Sequence, residues 1–156
     1  MSSVGAPAGP LGAGAGGEPT GIKGWSISIS HKPDLAIALV GRAQDGALGV
    51  DLESATRPRP AIASHVLGPL EKVRHLGLPE ERRWPELIAA FALKEATYKA
   101  VYPRVRRYVA FDEAAVHFEP SLRVELRLAK EQLEVALDAE FEVAGDRVVA
   151  MVRCRP

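Results

Sequence analysis

The sequence holds a single cysteine, Cys154, in 156 residues, and its 20 Lys+Arg are matched by 20 Asp+Glu. One cysteine excludes a disulfide framework within the chain and accords with a reducing compartment. No apolar run reaches the roughly 18 residues of a membrane-spanning helix, so no membrane partner is expected. Balanced charge removes the broad basic field that nucleic-acid binding draws on, and also the acidic bias of many disordered chains. Any anionic ligand must therefore be held by a local site. Residues 1 to about 20 are Gly, Ala, Pro and Ser with almost no charge or bulky apolar side chains. Such a segment cannot build a core, and residues 1–23 read as a flexible tail. The segment also lacks the basic start and apolar centre of a secretory signal, so a cytoplasmic protein is expected.

What remains is enough for one compact domain, since 47% of the residues are hydrophobic. Trp25-Ser26-Ile27-Ser28-Ile29-Ser30 alternates apolar and polar residues, the pattern of a half-buried strand that ends at His31. Lys32-Pro33-Asp34 is turn chemistry, and Leu35 to Val40 completes a hairpin. Gln44-Asp45-Gly46 turns the chain into a third strand, Ala47 to Glu53, with Val50 and Leu52 expected in the core. Arg57-Pro58-Arg59-Pro60 ends that strand, and Ala61 to Leu76 reads as helical with a break at Gly68-Pro69. Apolar residues at Trp84, Leu87, Ile88, Phe91, Tyr98 and Tyr102 predict a long helix that stops at Tyr102-Pro103. Strands are expected over Tyr108–Phe118, Ser121–Leu128, Ala139–Val143 and Arg147–Cys154, with a hairpin turn at Ala144-Gly145-Asp146. Lys130 to Leu137 fits either a strand or one helical turn. The fold class is α+β: a short antiparallel sheet packed against a long helix.

Three places carry candidate chemistry. Asp51 and Glu53 project from the same side of their strand, about 6–7 Å apart; such a pair is often only a solvated face. Glu95 falls within the apolar stripe of the long helix, and a carboxylate aimed at a core needs Lys99 at i+4, a metal ion, or water in a cleft. Ser30-His31 at a strand end is either a turn cap or a binding pair. Taken together, Asp51, Glu53 and Glu95 would suit a hard cation such as Mg²⁺, with His31, Lys94 and Lys99 free to neutralise phosphates. No Cys, Asp or Glu stands at a persuasive metal-ligand spacing from His65, His75 or His117, which read as surface or packed histidines, and Trp25 and Trp84 read as packing residues.

Ser28-Ile29-Ser30-His31, Gly49-Val50-Asp51-Leu52-Glu53 and Phe91-Ala92-Leu93-Lys94-Glu95-Ala96-Thr97-Tyr98-Lys99-Ala100 resemble the three signature blocks of the 4'-phosphopantetheinyl transferases. Their order is similar to the two-subdomain, enterobactin-like type that activates siderophore and peptide synthetases. In the short trimeric type the carboxylate block comes first. By this resemblance residues 24–156 form the transferase-like domain. Residues 24–42 are then a remnant of the first subdomain and 43–156 the second subdomain, with the N-terminal subdomain otherwise largely absent.

The resemblance implies a holo-carrier-protein synthase that moves the phosphopantetheine arm of coenzyme A onto a serine of an acyl or peptidyl carrier protein. It implies Asp51, Glu53 and Glu95 as Mg²⁺ ligands, with Glu95 also taking the serine proton. Lys99 and Lys94 would stabilise charge on the phosphates, and Ser30, His31 and Lys99 would contact coenzyme A. Arg104, Arg106 and Arg107 offer a docking edge for an acidic carrier. The strand pair left without its neighbour would expose a face that a second copy of the chain could cover, which predicts a homodimer. The alternative is a non-catalytic module that binds the carrier protein or coenzyme A.

Overall fold

The computed structural model describes residues 12–14, 19–20, 22–128 and 134–156. Within the predicted tail, β1 (Gly12–Ala13) pairs antiparallel with β2 (Pro19–Thr20). Residues 1–11, 15–18 and 21 of that tail, and residues 129–133, which take in the first part of the Lys130–Leu137 stretch that fits either a strand or a helical turn, lie outside the described residues. Residues 134–136 carry no regular structure.

The first hairpin, β3 (Trp25–Lys32) and β4 (Leu35–Arg42), turns tightly through Pro33-Asp34, with Lys32 opposite Leu35. After a short 3-10 turn, Gly46 at φ 116° redirects the chain into β5 (Ala47–Ser54). The helical region divides, as Gly68-Pro69 predicts, into α1 (Ala63–Val66) and α2 (Pro69–Gly77). Then follow α3 (Glu80–Val105), β6 (Ala114–His117), β7 (Arg123–Leu126), β8 (Leu137–Ala144) and β9 (Arg147–Cys154). Among the described residues the sheets are antiparallel pairs β3–β4 and β6–β7 and a three-stranded sheet ordered β5-β9-β8. A helix packed on antiparallel sheet is the α+β class expected from the pattern. No helix of the described residues is long and apolar enough to cross a membrane.

Several boundaries differ from the sequence expectation for identifiable reasons. Helix α3 passes through Pro103 and ends only where Arg106 adopts the left-handed conformation at φ 52° and returns its N–H to Tyr102 O. A proline in the last turn forfeits one backbone bond, which that cap offsets. The stretch expected as a strand from Tyr108 opens instead as irregular chain and a 3-10 turn at Phe111–Glu113, so only Ala114–His117 pairs.

The core lies between α3 and one face of the β5-β9-β8 sheet. Val148, Ala150, Val152 and Cys154 of β9 meet Leu93, Ala96, Ala100 and Val101 of α3 there. The aromatic residues of the predicted stripe, Trp84, Phe91, Tyr98 and Tyr102, are half-buried at its margins, whereas Leu87 and Ile88 are fully buried. The inner line is made of small residues: Ala92, Ala96 and Ala100 are fully buried. Opposite them Gly49 comes so close that a Cβ there would lie 1.8 Å from Ala96 O. Small residues on both sides let backbone approach backbone, and this brings β5 directly against the helix.

That approach fixes which face of β5 meets α3. Gly49, Asp51 and Glu53 share the helix side, whereas Val50 and Leu52, fully buried, lie on the other side and outside the main apolar cluster. Their full burial is what the sequence pattern expects of them. The alternation of β3 runs the other way from its apolar pattern. Ser28 and Ser30 are buried, and Ile29 is exposed. The cause is visible in the hydrogen bonds: Leu48 N, Val50 N and Leu52 N donate to the hydroxyls of Ser26, Ser28 and Ser30 at 2.8, 2.9 and 3.1 Å. Strand β5 sits at the edge of its sheet with unpaired N–H groups, and a comb of serine hydroxyls satisfies them.

Candidate active site

The serine comb ends in the carboxylate cluster. Ser30 Oγ, besides accepting from Leu52 N, donates to Asp51 Oδ1 at 3.0 Å. Asp51 Oδ1 also accepts from Lys99 Nζ at 2.7 Å, and that ammonium donates to Val50 O at 2.9 Å. Two residues further along each strand the arrangement repeats: Lys32 Nζ pairs with Glu53 Oε1 at 2.7 Å. Asp51 and Glu53 are both buried. Glu95, half-buried on α3, faces the same cluster. Burial first, then the Asp51 carboxylate, push its carboxyl above the ordinary value of 4.5; Glu53 adds to this, while Lys99 and Lys32 oppose it. Tyr108 stands beside it, its ring against Tyr98 at 5.3 Å between centroids. Its hydroxyl is raised from 10.0 by burial and by Glu95.

Lys99 of α3 thus pairs with Asp51 of β5, and Glu95 lies within the electrostatic reach of Asp51, Glu53 and Lys99. Three other site expectations fare differently. Lys94 was expected to help neutralise phosphates, but its ammonium is buried and fully engaged. It donates to Val66 O at 2.8 Å, to Glu71 Oε2 at 2.6 Å and to Phe111 O at 2.9 Å. Burial lowers its pKa, against the pull of Glu71. Lys94 is a structural tie, because its three protons are all spent on protein acceptors. Ser30 was expected to contact coenzyme A; its hydroxyl instead holds Asp51 and the β5 edge. His31 is exposed and, by strand alternation, lies on the opposite face of β3 from Ser30.

The arginine edge is also partly committed. Arg107 grips Glu113 through two guanidinium bonds of 2.8 and 2.7 Å, and Arg104 donates to Arg155 O. Sequence reasoning missed two residues. Lys32 could have been found by the same period of two that joins Ser28 to Ser30. Glu71 had a local signal only for its cap on Gly68 N, three residues back; its bonds to Lys94 and Val116 N, which join α2 to α3 and β6, had none. Trp84, read as packing only, also donates its indole N–H to Ala55 O at 2.8 Å.

The acidic trio can be tested as a cation site on its own geometry. Among the described residues no three His, Cys, Asp or Glu side chains are gathered closely enough to bind a metal as they stand. The closed clamp expected from the sequence is not formed, because Lys99 and Lys32 each draw one carboxylate to themselves. The donor set nevertheless fits a hard cation: Asp51 Oδ2 is buried with no hydrogen-bond partner, and Glu95 is crowded by two like charges. Asp51, Glu53 and Glu95 are the residues that would hold one.

Comparison with known proteins follows the same lines. The model of the 4'-phosphopantetheinyl transferase superfamily matches residues 47–152. The 4'-phosphopantetheinyl transferase Svp of Streptomyces mobaraensis is 33% identical over 124 residues, covering 77% of this chain and 50% of Svp. PptT, a 4'-phosphopantetheinyl transferase of Mycobacterium tuberculosis, is 30% identical over 125 residues, covering 76% of this chain and 52% of PptT. The chain spans about half the length of these curated relatives. Among solved structures, a holo-(acyl-carrier-protein) synthase from Bacillus anthracis in complex with CoA (3',5'-ADP) is similar in fold. It aligns at TM-score 0.57 and 20% identity, over 69% of this chain and 94% of that one.

Proposed function

The chain belongs to the 4'-phosphopantetheinyl transferase superfamily, and on that premise we propose that it is a holo-carrier-protein synthase of the two-subdomain type. The carrier protein is an acyl or peptidyl carrier of siderophore or other secondary-metabolite assembly, and the setting is the cytoplasm. Residues 24–42 are taken as the end of a first subdomain and 43–156 as the second. The observation that carries the proposal is that Lys99 pairs with Asp51 across β5 and α3 while Asp51 and Glu53 act on the half-buried Glu95 beside them.

In the reaction the carrier serine oxygen attacks the phosphorus bearing the pantetheine arm, and the bond to the other phosphate of the coenzyme A diphosphate breaks. Adenosine 3',5'-bisphosphate leaves with the electron pair. Glu95 is the group placed to take the serine proton, since burial and its acidic neighbours raise its affinity for one. Lys99 supplies positive charge beside the diphosphate, where phosphoryl transfer gains most of its rate. Ser30 orients Asp51, and Tyr108 forms the outer wall next to Glu95. Mg²⁺ held by Asp51, Glu53 and Glu95 would neutralise the diphosphate oxygens and the charge that builds on the leaving group.

The test is incubation with Mg²⁺, coenzyme A and a panel of apo carrier proteins, read by intact-mass spectrometry. A mass gain equal to the phosphopantetheine arm, lost in Glu95→Gln, is the expected result. The second reading, a module that binds coenzyme A or the carrier without transfer, is favoured by the two lysine–carboxylate pairs that occupy the cluster. Binding with no mass gain on any carrier would select it.

A further inference from the structure

Lys32 and Lys99 stand in matching positions. Lys32 pairs with Glu53 and Lys99 with Asp51, each at 2.7 Å. In both pairs the lysine side chain is the open partner, 29% and 27% exposed, over a carboxylate at 9% and 7%. The lysines therefore reach solvent above two carboxylates that form a buried floor. Three carboxylates against two ammonium groups leave the cluster one negative charge, and one floor oxygen, Asp51 Oδ2, is buried without a partner. A divalent cation entering at that oxygen would compete with both lysines for their carboxylates. It would turn the local charge positive, which suits an anion of two charges such as a diphosphate. Lys32 occupies the face of β3 that His31 does not, next to Ser30 and directed at β5.

We propose that Lys32 is a diphosphate-binding residue of this site: it rests on Glu53, as Lys99 rests on Asp51, and passes to the phosphate oxygens of the co-substrate when a divalent cation takes the carboxylates. The inference rests on the transferase reading and adds to it a contact residue and an order of charge exchange. Lys32 acts here by charge and hydrogen bonding and forms no bond itself.

The experiment is calorimetric titration of coenzyme A and of dephospho-coenzyme A, each in the presence of Mg²⁺, into wild type, K32Q, K32M and K32R. Mn²⁺ binding without coenzyme A is measured in parallel by electron paramagnetic resonance. Loss of one charged phosphate contact should weaken both ligands on the order of tenfold in K32Q and K32M. The two ligands should be affected alike, because both keep the diphosphate. K32R should restore most of the affinity. Mn²⁺ should bind K32Q as tightly as wild type or more tightly, because Glu53 has lost a competitor. Unchanged coenzyme A affinity in K32Q and K32M would overturn the inference and leave the transferase reading intact. Parallel loss of Mn²⁺ and coenzyme A would reduce Lys32 to a strut for Glu53. If wild type neither binds coenzyme A nor modifies a carrier, the reading and the inference fall together.

Discussion

At Gly49 an added Cβ would lie 1.8 Å from Ala96 O and 2.7 Å from Ala100 N, both backbone atoms of α3 that cannot swing away. Gly49→Ala should cost about 3 kcal/mol or more, the upper end for overpacking. It should also move Asp51 away from Lys99. Denaturant unfolding measures the first effect and loss of carrier modification the second; a stable, active Gly49→Ala would remove the close approach as the organising contact. Glu95 makes a prediction of the opposite sign. Its folded pKa lies above the ordinary 4.5, so ionising it costs the folded state. That cost is absent below the unfolded value and grows as pH rises from there through the raised folded value. Glu95→Gln should therefore melt higher than wild type at neutral pH, with the difference vanishing near pH 4; melting temperatures of both proteins from pH 4 to 8 test this. The residues of this cluster were readable in unequal measure. Asp51, Glu53, Glu95 and Lys99 announce themselves as charges placed against a periodic apolar background. Lys32 did not, because Lys-Pro-Asp reads as a turn whose chemistry explains it without a site, although Lys32 is the last residue of β3.

Between elements, the Glu71 carboxylate is the principal polar joint. It caps α2 at Gly68 N, receives the β6 backbone at Val116 N and neutralises Lys94 of α3. The Lys94 side chain is 1% exposed, so removing its partner strands a charge away from water. Glu71→Ala should cost about 3–5 kcal/mol, whereas pairing it with Lys94→Met should recover much of that loss. Equilibrium unfolding of the two variants decides, and equal stability of single and double mutants would contradict the stranded-charge account. Helix α3, the two hairpins and the break at Gly68-Pro69 were legible from periodicity and turn residues. The joint at Glu71 was not: apart from its cap on Gly68 N, its partners lie 23 and 45 positions away, and no local spacing encodes such distances. The buried face of β3 was not legible either. Alternation gives two faces but not their destinations, and here the neighbouring edge of β5 needed acceptors more than the core needed Ile29.

Across the whole molecule, two apolar surfaces stay open among the described residues. On α2, Leu70, Val73 and Leu76 are 75%, 71% and 69% exposed. On the outer face of the β3–β4 hairpin, Ile29 and Val40 are exposed. A second copy of the chain covering the hairpin face would bury the latter pair. Light scattering coupled to size exclusion should then give a dimer mass for wild type and a monomer for Ile29→Lys combined with Val40→Lys. A monomeric wild type would set the homodimer aside. The hairpin is held to the rest of the protein through serine hydroxyls and the Lys32–Glu53 and Asp34–Arg147 ion pairs rather than through a backbone ladder. It should therefore lift off as a flap while the helix and the three-stranded sheet stay folded. The amide protons of Leu48, Val50 and Leu52 would then exchange with deuterium through this partial opening, ahead of those that β5 shares with β9. Each such opening bares a raw strand edge and releases Asp51 from Ser30, so the event that endangers solubility is the one that unlocks the acidic floor.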